Sequence, residues 1–159
     1  MKPMEKYCAY CEKRIYTNDD GHIEHIRPRD LFPKEFQTYD NIIVSCNEKN
    51  SCGINKKNNY DDKFINPVID DPKEYLYYSI ANGEIIPKSI DENSHEYLRA
   101  RYTIDTLNLN SYELKEARKA LIDILEVYRE NYEEYNEYLQ FFLDDGHNFP
   151  NLIRLYMEL

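Results

Sequence analysis

The amino-acid sequence predicts a small α+β protein, in which a zinc-stabilised strand–loop–strand–helix module precedes a β-hairpin and a mainly helical part. The first module is indicated by four cysteines in two spaced pairs, with two short β-branched runs between the pairs. The helical part is predicted by apolar residues that recur at three- and four-residue steps after residue 110. At 159 residues the chain fits a single domain, so the modules 1–60 and 61–159 are expected to form one continuous unit.

The cysteines follow the pattern Cys8-x-x-Cys11 and then Cys46-x5-Cys52. A Cys-x-x-Cys turn lets two thiolates reach one tetrahedral zinc ion, and a second pair completes the set of four ligands. The first 13 residues lack an apolar leader, and no apolar run reaches the roughly 20 residues of a membrane helix. We therefore expect a cytoplasmic protein, where reduced thiols favour metal binding over disulfides. The alternative is four unrelated buried thiols.

Two strands and a short helix are predicted around the second half of this module. The runs "HIEHI" (22–26) and "YDNIIVSC" (39–46) are short and rich in β-branched residues, which is typical of strands. The segment between them contains two prolines and the turn-forming pair Asp40-Asn41, so it is expected to be a long loop. After Cys52, the polar stretch "GINKKNNYDD" predicts a short helix.

A β-hairpin and three helices are predicted after residue 61. Asn82-Gly83 lies between two β-prone runs and predicts a hairpin over residues 75–86, and a helix is expected from Ser94 to about Leu107. Asn110 with Glu113 matches a capping box and opens a predicted amphipathic helix of roughly eight turns that continues to residue 142. A short apolar helix is expected after Pro150.

The charge of the chain is unevenly distributed. The formal net charge is −10, but residues 1–60 carry a net charge of +1 and residues 61–159 carry −11. An acidic surface repels phosphates, so the second part is not expected to attract nucleic acid. Its tyrosine stripe, with Tyr128, Tyr132, Tyr135 and Tyr138, is instead expected to bind a protein partner.

The stretch "HIEHIRPRD" (22–30) holds the candidate catalytic residues. Phosphodiester hydrolysis needs a base for the attacking water and positive charge on the developing phosphate. His25 can serve as the base, because imidazole gains and loses a proton close to neutral pH. Glu24 offers an oxygen to a hard divalent ion, and Asn55 is the best second ligand. Four cations are expected near these residues and suit phosphate oxygens: Arg27, Arg29, Lys56 and Lys57. His22 is interpreted as a surface histidine at a strand end.

Four motifs together resemble the HNH (ββα-metal, His-Me finger) endonucleases: "CAYC", "IEHIRPRD", "NIIVSC" and "CGINKK". The similarity is greater to one branch, the HNH subunits of the Septu type (PtuB) and of retron-linked defence systems. Members of that branch also resemble this chain in its hairpin, in "TIDTLNLN" and in the closing "FPNLIRLYMEL". The resemblance therefore covers nearly the whole chain.

The resemblance implies a role for each matching residue. His25 lies at the general base of the family, Glu24 at its metal-binding carboxylate and Asn41 at the middle Asn that orients the base. The final metal ligand often follows the last cysteine directly, where this chain has Gly53 without a side chain. Asn55 is therefore assigned as that ligand, with Asn58 as a substitute. The resemblance implies a structural Zn²⁺ and a catalytic Mg²⁺ or Mn²⁺.

The resemblance also implies a partner and leaves alternatives. An ABC/SMC-like ATPase (PtuA-like) is expected to join the chain in an anti-phage assembly and to supply most of the contacts to DNA or RNA. One alternative is a zinc-stabilised HNH-like module that lacks activity and acts as a protein-binding adaptor. A second alternative keeps the enzyme but changes its substrate to RNA, such as a tRNA.

Overall fold

Within residues 7–159, which the computed structural model describes, the chain forms two antiparallel sheets and five α-helices. The elements in chain order are β1 (Gly21–His25), β2 (Ile42–Cys46), α1 (Cys52–Lys56), β3 (Leu76–Tyr78), β4 (Ile85–Pro87), α2 (His95–Leu107), α3 (Tyr112–Asn131), α4 (Tyr135–Asp145) and α5 (Pro150–Met157). The α+β class is thereby confirmed. Residues 1–6 lie outside the described residues. The start of the predicted first module and part of the N-terminal segment examined for a leader fall on them. In the described part, no helix has the length and apolarity needed to cross a membrane.

The first sheet pairs β1 with β2, as the β-branched runs predict. The register runs from Gly21 opposite Cys46 to His25 opposite Ile42. Side chains alternate between the two faces of a strand, so His22 and Glu24 share one face of β1 while His25 belongs to the other. The predicted long loop joins the strands, and α1 follows β2 after a short turn.

The second sheet is the predicted hairpin, in which β3 and β4 pair antiparallel. Gly83 lies in its turn with φ of +71°, a conformation that favours glycine. A Cβ at this position would also lie 2.8 Å from the carbonyl oxygen of Lys115 on α3. The buried guanidinium of Arg118 donates to the carbonyl oxygens of Gly83 and Leu109. The hairpin turn is therefore fixed against α3.

The first two long helices begin at serine caps. Ser94 caps α2 through a hydrogen bond that its side chain accepts from Tyr97 N, so the helix predicted from Ser94 begins one residue later, at His95. For α3, the N-cap is Ser111, and the prediction of Asn110 is wrong. The amide of Asn110 instead bonds both the N–H and the C=O of Ile85, at 2.8 Å each. The Asn110 amide thus bonds Ile85 of β4 as a neighbouring strand would, and it is not available to cap α3.

The prediction of one eight-turn amphipathic helix is also wrong, because α3 ends at Asn131 and α4 begins at Tyr135. Between them Tyr132 has extended dihedral angles, with φ −133° and ψ +122°. The reversal brings together the aromatic cluster, which consists of Tyr128, Tyr132, Tyr138 and Phe142, with ring centroids 5.0–5.3 Å apart. Like-charged pairs such as Glu130 and Glu134 would further destabilise a continuous helix.

Two hydrophobic cores hold these elements. The first core surrounds the cysteines and joins both sheets to α2 and α3; its buried members beyond the cysteines include Ile26, Ile43, Phe64, Ile85, Ile104, Leu107, Leu109 and Leu114. The second core joins α3, α4 and α5; its buried members are Leu121, Ile122, Leu125, Leu139, Phe149, Leu152, Ile153 and Tyr156. The first core thus draws residues from both sides of residue 60.

A half-buried carboxylate, that of Glu12, connects the Cys-x-x-Cys turn to the last helix. Glu12 accepts hydrogen bonds from the Tyr78 hydroxyl at 3.0 Å, from the Asn151 backbone N–H at 3.2 Å and from the Asn151 side-chain amide. Burial raises the pKa of Glu12 above its usual value. The backbone carbonyl of Glu12 also accepts from Phe149 N at 3.0 Å. Phe149 and Asn151, near the C-terminal end of the chain, therefore hold the Cys-x-x-Cys turn through hydrogen bonds to Glu12.

Candidate metal centres and active site

The four cysteines form one compact cluster. The sulfur atoms of Cys8, Cys11, Cys46 and Cys52 all lie within 4.8 Å of one another, and all four residues are buried. The Cys11 and Cys46 sulfurs are 3.7 Å apart. Two thiolates bound about 2.3 Å from a tetrahedral zinc ion lie about 3.8 Å apart. The donor set and its spacing therefore fit a metal ion such as zinc.

Local hydrogen bonds shape this cluster. The first turn closes through Cys8 N to Lys13 O at 2.8 Å and Glu12 N to Cys8 O at 3.0 Å, and Ala9 N ties it to Val44 O at 3.0 Å. Hydrogen bonds from the thiols of Cys11, Cys46 and Cys52 lower the pKa of Cys8 well below its usual value. The pKa of Cys46 is also lowered, through its hydrogen bond with Cys11, whereas hydrogen bonds with Cys46 and with Cys11 raise the pKa values of Cys11 and Cys52, respectively. A thiolate is the form of cysteine that binds a metal, so metal binding would displace protons from Cys11 and Cys52.

Glu24 and Lys56 form an ion pair within the first module. Glu24 projects from β1 toward α1, where its Oε1 lies 2.9 Å from Lys56 Nζ. The ammonium group also donates to the carbonyl oxygen of His25 at 3.0 Å. The Lys56 side chain is 0% exposed, so the phosphate contact expected of Lys56 does not fit its position. Burial, and after it the charge of Glu24, raise the pKa of the neighbouring Tyr10.

Replacing Lys56 with methionine should lower the free energy of unfolding by about 3–5 kcal/mol, because it leaves the Glu24 carboxylate unpaired in a site that solvent barely reaches. Urea denaturation of the zinc-loaded protein measures this difference. The matched control is Lys57→Met at the exposed next residue, which should change stability by no more than about 0.5 kcal/mol. Equal losses in the two variants would show that the ion pair does not stabilise the module.

His25 lies on the opposite face of β1, at its last residue. Its Nε2 lies 2.9 Å from the carbonyl oxygen of Phe36 in the loop between the strands. A carbonyl oxygen only accepts, so Nε2 carries the proton of the neutral ring and Nδ1 carries the lone pair. β1 ends at His25, so the ring lies at the strand end while the Glu24 carboxylate pairs with Lys56 on the other face. A histidine held in one tautomer by a backbone carbonyl suits the role of general base.

Asn41 supports this arrangement through the loop. Its Oδ1 accepts from Arg27 N at 2.7 Å, and its Nδ2 donates to the carbonyl oxygens of Arg27 and Glu35 at 3.0 and 3.2 Å. Both groups of the buried amide are therefore used by the loop, and Glu35 directly precedes the residue whose carbonyl holds His25. Asn41 can position the base indirectly, and its catalytic role stays a prediction.

The remaining predicted site residues lie in different surroundings. The amide of Asn55 donates to the carbonyl oxygen of Thr106 on α2, at 2.9 Å, so its bonded partner is on the helix that covers α1. Arg27 pairs with Glu35 at 3.0 Å and lies over the ring of Phe32. Arg29 and Lys57 are exposed. The structure therefore groups Glu24 with Lys56 and does not bring Asn55 to them.

The structure adds His22, which sequence reasoning interpreted as a surface histidine. Its Nε2 lies 3.6 Å from Glu24 Oε2, and its side chain is 29% exposed. Gly53 packs against both groups, because a Cβ there would lie 2.9 Å from each of these two atoms. The i, i+2 spacing of His22 and Glu24 on a predicted strand is the signal that could have identified this pair.

Comparison with known proteins finds no matching family model. The chain is 29% identical over 107 residues to Septu protein PtuB of Bacillus thuringiensis. The alignment covers 65% of this chain and 36% of that protein, so the chain spans little more than a third of the relative's length. This similarity confirms the resemblance to Septu PtuB proteins that the sequence motifs indicate.

Proposed function

We propose, from the similarity to Septu protein PtuB and the geometry around β1, that the chain is a metal-dependent HNH-type endonuclease subunit of an anti-phage defence system. The observation that carries the proposal is the position of His25. The Phe36 carbonyl holds its ring in the tautomer whose Nδ1 carries the lone pair. His25 also directly follows Glu24 in the module that contains the four-cysteine cluster. The substrate class is a nucleic-acid phosphodiester.

The residues of the chain perform separate tasks in the proposed hydrolysis. His25 Nδ1 takes the proton of the attacking water, while the Phe36 carbonyl keeps the other nitrogen protonated and the ring oriented. Exposed Arg29 and Lys57 bind backbone phosphates. Glu24 would hold a divalent ion, and that ion supplies positive charge to the phosphate and to the leaving oxygen. Lys56 keeps the Glu24 carboxylate in place through Oε1.

A partner ATPase of the ABC/SMC-like kind is part of this proposal. The net charge of −10 opposes binding of nucleic acid by the whole surface, so the partner or the assembled complex would provide most of that affinity. The proposed docking face is the acidic part of α3 and α4 around the aromatic cluster. Tyr132 and Tyr138 are 46% and 41% exposed there, although the cluster partly buries its own rings.

A second candidate function is an adaptor without nuclease activity. The Lys56 ammonium favours it, because a positive charge 2.9 Å from Glu24 Oε1 opposes binding of a cation to that carboxylate. In that case the zinc module would only dock the chain on its partner. The alternative RNA substrate remains compatible with the same site, because water rather than a 2′-hydroxyl is the proposed nucleophile.

The deciding experiment is a cleavage assay with the zinc-loaded chain, alone and co-purified with its partner ATPase. Matched DNA and RNA oligonucleotides are incubated with Mn²⁺ or with EDTA after removal of unbound metal. We expect cleavage with Mn²⁺, none with EDTA, and a higher rate in the complex. A complex that forms but cleaves neither nucleic acid would support the adaptor instead.

A further inference from the structure

The pair formed by His22 and Glu24 has the arrangement of two metal ligands. Both side chains leave the same face of β1, and His22 Nε2 lies 3.6 Å from Glu24 Oε2. Two ligand atoms that each lie about 2.1 Å from a shared ion are about 3.0 Å apart in an octahedral site and about 3.4 Å apart in a tetrahedral site. The observed distance is therefore long for a hydrogen bond, and a small approach of the two side chains would let them share an ion.

The hydrogen bonds behind His22 fix which nitrogen faces Glu24. The Asn47 amide donates through Nδ2 to the carbonyl oxygen of Asp19 at 2.7 Å, so its Oδ1 is the group directed at His22. This oxygen only accepts and lies 2.7 Å from His22 Nδ1, which must carry a proton. In the neutral ring, the lone pair of Nε2 then faces the Glu24 carboxylate. Metal-bound histidines are oriented in this way by an acceptor on the other nitrogen.

Gly53 and Lys56 define the space around this pair. A Cβ at residue 53 would lie 2.9 Å from both His22 Nε2 and Glu24 Oε2, so the glycine leaves room where a side chain would displace them. Lys56 binds Oε1 of Glu24 and leaves Oε2 on the side of His22. Gly53, directly after the last cysteine, has no side chain that could bind an ion, while His22 of β1 places its Nε2 beside this position.

We infer that His22, rather than Asn55, is the second protein ligand of the proposed catalytic ion, and that the site prefers transition-metal ions over Mg²⁺. This inference rests on the proposed function for the role of the ion, but it stands on the geometry of the pair. A nitrogen and a carboxylate oxygen suit Mn²⁺ and, more strongly, Ni²⁺, whereas Mg²⁺ prefers an all-oxygen shell. Asn55 instead keeps its bond to the Thr106 carbonyl on α2.

The test is Mn²⁺ binding to the full zinc-loaded chain, measured by titration and by the electron paramagnetic resonance of the bound ion. Wild type should show a ¹⁴N coupling from a directly bound imidazole. His22→Ala should remove that coupling and weaken Mn²⁺ binding at least about tenfold. The preference of His22→Ala for Ni²⁺ over Mg²⁺, measured as the ratio of the two affinities, should also be smaller than that of the wild type. Asn55→Ala is the matched control and should keep both the coupling and the affinity, and Glu24→Gln should weaken binding by a similar factor.

Zinc content and thermal unfolding of each variant show that the module remains folded. The inference is overturned if His22→Ala retains the coupling and the affinity, if Asn55→Ala is the variant that loses them, or if folded wild type binds no Mn²⁺ at millimolar concentration. None of these readouts requires cleavage. A wild-type chain that binds Mn²⁺ through His22 but cleaves no nucleic acid would contradict the proposed function and leave the ligand assignment intact.

Discussion

Replacing Cys46 with serine should remove the bound metal and unfold the first module. Cys46 ends β2, and its sulfur lies within 4.8 Å of the other three, so it joins the strand pair to the Cys-x-x-Cys turn. Structural zinc supplies about 10–16 kcal/mol of folding free energy in zinc-finger peptides, and loss of one ligand removes a large part of such a contribution. Mass spectrometry under native conditions and circular dichroism measure the two effects.

Chelation provides the control for this variant. Wild-type protein stripped of metal should resemble Cys46→Ser, and added Zn²⁺ should restore only the wild type. About one zinc ion per chain is expected in protein purified without chelator. Absence of any metal from that preparation, together with unchanged stability of Cys46→Ser, would show that the cysteines are merely buried thiols of the first core.

Replacing His25 with alanine should lower the cleavage rate by about 10²–10⁴-fold, the range attributed to a general base. The fold and the zinc content should remain, because the half-buried ring makes one hydrogen bond, to the Phe36 carbonyl, and leaves no large core cavity. His95→Ala is the matched control, since this exposed histidine begins α2 far along the chain from the site. A His25 variant with undiminished cleavage would place the active site elsewhere.

The elements of the first module were predictable because their signals are local. The Cys8-x-x-Cys11 turn is closed by bonds within six residues, and the β-branched residues of β1 and β2 fit a half-buried sheet. The pairing of these strands then brings Cys46 to the turn. The hairpin prediction succeeded for the same reason, since Gly83 has the positive φ that Asn-Gly turns require.

The helical part was less predictable because distant contacts decide its boundaries. Asn110 resembles a cap in sequence, but its amide is bound by Ile85, 25 residues away. The apolar period continues through Tyr132, yet the chain reverses there because the aromatic cluster and the second core pack only when α4 folds back on α3. Neither contact leaves a mark in the local pattern.

The candidate site contains one feature that the local sequence predicts and others that depend on distant contacts. Alternation along β1 places His22 beside Glu24 and could have been inferred from the spacing alone. The direction of Asn55 depends on the packing of α1 against α2, where the Thr106 carbonyl takes its amide. The burial of Lys56 likewise depends on the first core, so its charge could not be distinguished from a surface cation in the sequence.

The most direct test of the central proposal is cleavage by the chain–ATPase complex in water enriched in ¹⁸O, with mass spectrometry of the product ends. Attack of a water activated by His25 should place one ¹⁸O atom in each new terminal phosphate, and it should leave a free hydroxyl on the opposite end. An RNA substrate should give the same ends, with no 2′,3′-cyclic phosphate. Products without the label, or no products from an intact metal-loaded complex, would contradict a hydrolytic HNH-type nuclease.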